Sequence, residues 1–198
     1  MSEPLILAFD TSAAHCAAAL LSGGRIVTSA AEAMSRGQAE RLMTLLGEVL
    51  SGCGHDWRDL DAIGVGIGPG NFTGIRISVS AARGLALGLG VPAYGVDGFA
   101  ARRLIAPGLV ATVPATQGRL YVDMGAAQPA LMPFEDVGEH AARLGIGIAP
   151  QPDPAQLAVA IARLAGERWP DPAPAPAPLY IRPADAAPQR EAPPVLLD

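Results

Sequence analysis

The stretch that decides the fold is GVGIGPGNFTG, residues 64–74, which joins a buried apolar run to a helix. The run at residues 62–67 predicts a strand, and residues 73–88 predict a helix. Glycines ahead of a helix N-terminus can form an anion site. They can equally form a tight turn in which Phe72 fills the core. The segment matches neither the P-loop nor the dinucleotide-binding pattern, so both interpretations stay open.

The segments around this stretch predict a mixed α/β lobe. Upstream, three strands at residues 5–9, 15–21 and 25–31 form a meander, with a hairpin turn at Gly23-Gly24. A helix at residues 35–50 follows, with a leucine-rich stripe. Downstream come a strand at 91–96 and a helix at 98–105, which gives the order βββαβαβα.

The remainder of the chain has weaker patterns. Strands are predicted at 109–114 and 120–124, an amphipathic helix at 154–169, and no element over 125–153. The proline-rich run 170–178 reads as an extended spacer, and 179–182 as a docked strand. The predicted domains are therefore an N-terminal lobe at 1–105, a reduced second lobe at 106–183 that includes the spacer, and a flexible tail at 184–198.

Composition excludes several function classes. The net charge is −5 and the sequence contains no lysine, which excludes a basic nucleic-acid platform, a P-loop lysine and a Schiff-base lysine. Cys16 and Cys53 form no disulfide framework, and three scattered histidines offer no metal-ligand spacing, so neither metal nor cofactor is expected. No long apolar run or signal sequence is present, which predicts a cytoplasmic protein without membrane contact.

Polar residues follow the first strand. Asp10, Thr11 and Ser12 could hold a phosphate or a magnesium ion, or could form an Asx turn that closes a hairpin. His15 is near in sequence, but strand residues alternate between faces, so no Ser–His–Asp set is predicted. We therefore predict no catalytic residue.

The helix at 73–88 carries a stripe of small residues. Ala81, Gly84 and Gly88 lie along one face, and glycine in a helix costs about 1 kcal/mol relative to alanine. Close packing of a second helix would offset that cost. The neighbour could be the leucine-striped helix of this chain or a helix of a partner.

The sequence resembles a known family in three stretches. These are ILAFDTSAAHCAAAL at residues 6–20, GPGNFTGIRISVSAARGLALGLGVPAYGV at 68–96, and PLYIR at 178–182. They resemble the bacterial tRNA threonylcarbamoyladenosine biosynthesis family TsaB, also called YeaZ. The resemblance is dense over residues 4–105 and sparse afterwards. It implies an actin-like ATPase (ASKHA) fold with two lobes of mixed sheets flanked by helices, the second lobe reduced.

The resemblance also implies a function. Members of this family are non-catalytic scaffolds in the formation of N6-threonylcarbamoyladenosine on the adenosine 3′ of the anticodon in ANN-decoding tRNAs. They pair with a TsaD-type catalytic subunit, are joined by a TsaE-type ATPase, and form homodimers when alone. tRNA would be reached only through the complex, and ATP and magnesium would be held by the partner subunits. Asp10, Thr11 and Ser12 would then be a vestigial nucleotide loop.

The family's partner interface maps onto the two helices of the first lobe. The corresponding positions are Leu42, Leu45, Leu46, Val49, Ile75, Arg76, Val79, Ser80, Arg83, Gly84 and Leu87. Two places depart from the family pattern. Gln38 and Ala39 stand where relatives carry His and Ser, and residues 115–117 are Ala-Thr-Gln in place of Asp-Ala-Arg.

The alternative function is a stand-alone actin-like ATPase or small-molecule kinase. A glycoprotease has less support, because the sequence contains no HxxE or HExxH zinc motif and no credible nucleophile.

Overall fold

A computed structural model describes residues 3–125 and 128–181 and contains two β-sheets. The larger sheet has the strand order β3-β2-β1-β4-β5. Its strands are β1 Leu5–Asp10, β2 His15–Ser22, β3 Arg25–Ala33, β4 Ala62–Gly66 and β5 Ala93–Val96. The first three pair antiparallel, whereas β4 pairs parallel to β1 and to β5. This mixed sheet confirms the predicted α/β fold class.

Burial explains the strand sequences. The central strands β1 and β4 are buried on both faces and read as continuous apolar or small-residue runs. The edge strand β3 alternates between exposed and half-buried residues. Gly23 and Gly24 form the turn between β2 and β3, and both have the positive φ that a tight hairpin requires (57° and 78°).

Helices α1 (Gln38–Ser51) and α2 (Phe72–Leu89) cover one face of this sheet. The helix predicted from residue 35 starts later, because Gly37 has a left-handed φ of 87° that no α-helix contains. Asn71 caps the N-terminus of α2, and its Oδ1 accepts a hydrogen bond from Gly74 N at 2.8 Å. It ends at Gly90, which has φ 71°. A short 3-10 turn, Trp57–Asp59, follows α1.

The opposite face is covered by α3 (Gly98–Ile105) and α5 (Pro154–Arg168). Helix α5 packs on β1, β2 and β4, which corrects the assignment of residues 154–168 to the second lobe. Its alanine-rich face permits a close approach: a Cβ on Gly64 of β4 would lie only 3.0 Å from the Cβ of Ala165. The first lobe is therefore completed by a helix from the C-terminal part of the chain.

The second, smaller sheet consists of β6 (Ala111–Pro114), β7 (Arg119–Asp123) and β8 (Ala130–Pro133), with α4 (Phe134–Arg143) beside it. Strand β8 and helix α4 lie within residues 125–153, where the sequence predicted no element. The core of this unit is small and consists of Val110, Leu120, Val122, Val137 and Ala141.

Residues 171–181, which we call the C-terminal strap, run along the end of the larger sheet. The Tyr94 hydroxyl donates to the Asp171 carbonyl at 2.9 Å, and Leu179 N donates to the Ile67 carbonyl at 2.8 Å. The proline-rich run is therefore docked and is not a free spacer. Residues 179–181 form no strand. Arg182 and the predicted tail 184–198 lie outside the described residues.

Candidate functional site

Asp10 is the centre of a buried polar cluster at the end of β1. Its Oδ1 accepts hydrogen bonds from Ser12 N (3.0 Å), Ser12 Oγ (2.8 Å) and His15 Nε2 (2.9 Å). All three residues are buried. Asp10 lies opposite Ala17 in the β1–β2 register, so His15, two residues before Ala17, points to the same face. The prediction that alternation separates His15 from Asp10 is therefore wrong.

The order of these contacts matters for the chemistry. The carboxylate stands between the hydroxyl and the imidazole, whereas a nucleophilic triad places the imidazole in the middle. No hydrogen bond joins Ser12 to His15 among the described residues. The cluster is thus an internal hydrogen-bonded network, and it does not activate the serine hydroxyl through the histidine.

Burial raises the pKa of Asp10, but this effect is outweighed. The hydrogen bond and charge of His15, together with the hydrogen bonds from Ser12, hold the pKa of the Asp10 carboxyl below its ordinary value. The carboxylate is therefore stabilised in its ionised form by groups of its own loop.

Arg102 is a buried functional candidate that the sequence analysis missed. It lies on α3, is 8% exposed, and donates from Nη1 to the Gly98 carbonyl at 3.0 Å, while its Nε has no partner among the residues the structure describes. Burial lowers the pKa of Arg102, and the charge of Asp10 opposes this change. No local pattern in the sequence distinguishes the buried Arg102 from the exposed Arg103 beside it.

The Asp10 loop and the GPGNFTG turn interlock. Thr11 Oγ1 donates to the Gly74 carbonyl at 2.7 Å, and Asn71 N donates to the Ser12 carbonyl at 2.7 Å. A Cβ on Gly74 would lie 1.9 Å from the Thr11 carbonyl oxygen, and one on Gly70 would lie 2.3 Å from that of Ser12. These glycines let two segments of this chain approach each other. The contacts favour a turn over the anion site for residues 64–74. The expectation that Phe72 fills the core is wrong, because its side chain is exposed.

The structure divides the predicted interface residues into two groups. Six of them are buried in the core of this chain: Leu42, Leu45, Leu46, Val49, Ile75 and Val79. Their side chains pack toward the sheet, so the prediction that they contact a partner is corrected. The other five are exposed on α2: Arg76, Ser80, Arg83, Gly84 and Leu87.

These five residues form one face of α2, which we call the outer α2 face. The spacings of four, seven, eight and eleven residues from Arg76 place them on one side of the helix. Leu87 is 87% exposed, which is unusual for a leucine in a helix. A Cβ on Gly84 or Gly88 would meet nothing within 4 Å. The two glycines of the small-residue stripe are therefore not packed by any described part of this chain, whereas its third member, Ala81, packs against the core.

The outer α2 face is positively charged within an acidic chain. Helix α2 contains two arginines, Arg76 and Arg83, and no acidic residue. The Arg76 guanidinium lies 3.7 Å from the ring centroid of Phe72, and its Nε donates to the Tyr180 hydroxyl at 3.0 Å. The face thus combines an exposed leucine, open glycines and two cations.

The described residues form neither a metal-binding cluster nor a membrane-spanning helix. Over residues 3–125 and 128–181, no group of three or more His, Cys, Asp or Glu side chains is placed to hold a metal ion. In the same part of the chain, every helix is too short or too polar to cross a bilayer.

Comparison with known proteins places this fold. A family model described as "TsaD: tRNA N6-adenosine threonylcarbamoyltransferase" matches residues 25–140, more than half of the chain. The solved structure "YeaZ from Pseudomonas aeruginosa" superposes with a TM-score of 0.69 at 27% identity, covering 91% of this chain and 100% of that one. The chain belongs to the TsaB/YeaZ family. It thereby also belongs to the actin-like ATPase superfamily, as its mixed sheets and flanking helices indicate.

Relatives in this family cover the chain to different extents. The "tRNA threonylcarbamoyladenosine biosynthesis protein TsaB" of Escherichia coli K12 is 34% identical over 122 residues, which is 59% of this chain and 52% of that protein. An uncharacterized protein of Mycobacterium tuberculosis H37Rv is 31% identical and covers 92% of this chain and 94% of its own length. The chain thus matches about half the length of the E. coli TsaB.

Proposed function

We propose that the chain is a non-catalytic scaffold subunit that pairs with a TsaD-type catalytic subunit. The pair would support the formation of N6-threonylcarbamoyladenosine on the adenosine 3′ of the anticodon in ANN-decoding tRNAs. The observation that carries this proposal is the outer α2 face. The names of the TsaB relatives support its pathway. A TsaE-type ATPase joins the pair in the cytoplasm, and the partners supply the tRNA affinity that a chain of net charge −5 lacks.

Packing energetics support a helical partner on this face. Two open glycines in α2 each cost about 1 kcal/mol relative to alanine, and no described contact of this chain offsets that cost. A partner helix crossing at Gly84 and Gly88 would use the missing side chains as space for a close approach, at the short end of the usual 8–10 Å range. It would also cover Leu87.

The match to the TsaD model supports the choice of partner. The matched residues, 25–140, contain both α1 and α2, so a TsaD-type subunit is expected to carry the same two helices. Two related faces can pair about an approximate two-fold axis. A second copy of this chain presents the same face, and we propose that it forms the homodimer when the catalytic subunit is absent.

The closed Asp10 cluster supports the non-catalytic part of the proposal. Oδ1 of Asp10, the Ser12 hydroxyl and the Thr11 hydroxyl all bond within the chain. We propose that ATP and magnesium in the complex are held by the partner subunits, and that residues 10–12 are a vestigial nucleotide loop. The first lobe, completed by α5, then presents the interface, and the smaller unit of β6, β7, β8 and α4 is the reduced second lobe.

The experiment is a binding titration between the purified chain and a TsaD-type subunit. Gly84→Leu should weaken the affinity by about 100-fold, as expected for a change at the centre of an interface. It should leave the free chain folded, because a Cβ at Gly84 meets nothing. Gly138→Leu is the matched control, since Gly138 is an exposed helical glycine on α4 whose Cβ position is also open.

Two results would contradict the proposal. Equal affinities for wild type and Gly84→Leu would show that the outer α2 face is not the contact. Micromolar binding of ATP with magnesium to the chain alone, with turnover that is lost in Asp10→Ala, would support the stand-alone ATPase.

A further inference from the structure

The C-terminal strap ends on the outer α2 face. The Tyr180 ring lies 5.1 Å, centroid to centroid, from the ring of Phe72, the first residue of α2. The Tyr180 hydroxyl accepts a hydrogen bond from Arg76 Nε at 3.0 Å. The Arg76 guanidinium also lies over the Phe72 ring. Tyr180, more than one hundred residues downstream in the sequence, thus contacts Arg76 of the outer α2 face.

The strap fixes the position of Tyr180. The neighbouring Leu179 is tied to the end of β4 by its hydrogen bond to the Ile67 carbonyl, and Ile181 packs against the cluster that contains Phe99 and Val113. Pro176 lies against β5, where a Cβ on Gly95 would be 3.3 Å from the Pro176 Cβ. Tyr180 therefore projects from an anchored backbone onto Arg76.

Fold stability explains little of this arrangement. Phe72 and Tyr180 are 38% and 41% exposed, and Arg76 is exposed as well. Exposed cation–π and hydrogen-bond contacts contribute weakly to folding, and ordering a long arginine side chain costs conformational entropy. An arginine that is already ordered binds a partner's carboxylate with less loss of entropy.

We propose that Tyr180 is part of the partner interface, where it positions Arg76 to bind a carboxylate on the TsaD-type subunit. This inference rests on the proposed function. Arg76 donates only its Nε to a described residue, which leaves both Nη groups for the fork-like pairing that a carboxylate accepts. The absence of any acid from α2 means that the complementary charge must come from elsewhere.

The test measures affinity for the TsaD-type subunit over a salt series, for wild type, Tyr180→Ala, Tyr180→Phe and Arg76→Gln. Tyr180→Ala should weaken binding about tenfold and flatten its salt dependence, because Arg76 is no longer held toward the opposite charge. Tyr180→Phe keeps the ring and should lose less. In the Arg76→Gln background, Tyr180→Ala should have little further effect.

Phe134→Ala is the control for loss of an exposed aromatic side chain, since Phe134 is 64% exposed on α4. All variants are titrated at a temperature where circular dichroism shows them folded, and Tyr180→Phe carries the test if the alanine variant does not fold. If wild type does not bind, or Gly84→Leu binds normally, the proposed function fails and this inference fails with it. If Gly84→Leu loses binding while the Tyr180 variants bind as wild type, or if their losses add to that of Arg76→Gln, this inference alone is overturned.

Discussion

Gly74 and Gly84 lie ten residues apart on α2 and serve opposite purposes. A Cβ on Gly74 would lie 1.9 Å from the Thr11 carbonyl oxygen, whereas a Cβ on Gly84 would meet nothing within 4 Å. The first glycine lets the helix approach a loop of its own chain, and the second leaves space that no described residue fills. The polar loop at residues 10–12, which looks functional in the sequence, forms its hydrogen bonds within the chain. Helix α2, which looks like core, has one exposed face.

The largest effect on stability is expected from a substitution in the Asp10 cluster. Asp10→Ala removes the acceptor of His15 and Ser12 and also removes a negative charge that acts on the buried Arg102. Removing one member of a buried ionic network costs about 3–5 kcal/mol, and urea unfolding followed by circular dichroism measures it. Asp153→Ala removes an exposed helix cap and should cost about 1 kcal/mol. Equal losses for the two variants would show that the Asp10 cluster is not a special contributor to stability.

A pair of alanine substitutions tests the comparison directly. Gly74→Ala should destabilise the fold by about 1–3 kcal/mol, because the new methyl group forces Thr11 to move. Gly84→Ala should stabilise it by up to about 1 kcal/mol, because alanine is the better helix former and the site is open. Thermal unfolding of the two variants measures both signs. The same sign for both would show that the two glycines are not in different environments.

Low pH should reduce the contribution of the Asp10 cluster to stability. The folded pKa of Asp10 lies below its ordinary value of 3.8, so its contribution to stability is complete above that value and is lost as the pH falls toward the folded pKa. The urea concentration at the unfolding midpoint of the wild type should therefore decrease once the pH is lowered below about 4. Asp10→Asn should remove part of this dependence, and identical pH profiles for the two proteins would contradict the assignment.

The smallest effect is on thiol reactivity. Burial, followed by the charge of Glu32, raises the pKa of Cys16 to about 11. Only about one molecule in a thousand then carries a Cys16 thiolate at pH 8. Cys53 is half-buried. Alkylation of the native protein, read by peptide mass spectrometry, should modify Cys53 and spare Cys16 until urea is added. Equal rates for both thiols would show that β2 opens more readily than its burial indicates.

The sequence predicted the first lobe well, because its signals are local. Apolar runs, the Gly23-Gly24 turn and the amphipathic helices up to residue 105 each carry their own pattern. Strand β8 and helix α4, which the sequence did not predict, lack such a local pattern. Helix α4 buries only Val137 and Ala141 as apolar contacts, and the four-residue strand β8 ends in Pro133. The acids in the first turn of α4 and the basic residues in its last turn were the available signal.

What could not be predicted depends on contacts between distant segments. The stripe on residues 154–168 indicates a helix but not which sheet it covers. Likewise, the leucine stripe of α1 does not show whether it packs inward or onto a partner. The His15–Asp10 contact follows from the register of β1 and β2, which depends on how the intervening loop turns. Tyr180 and Arg76 are separated by most of the second lobe, so no local pattern connects them.

The first lobe can be completed only after α5 has been synthesised. All five strands of the larger sheet have been made once Val96 is added, but the helix that covers β1, β2 and β4 begins at Pro154. At about 5–20 residues per second, the ribosome needs about 3–12 seconds to make the segment between them. Throughout that interval the part of the sheet that α5 covers lacks that helix. Any molecular chaperone that meets this nascent protein therefore meets an apolar sheet before it meets a finished lobe.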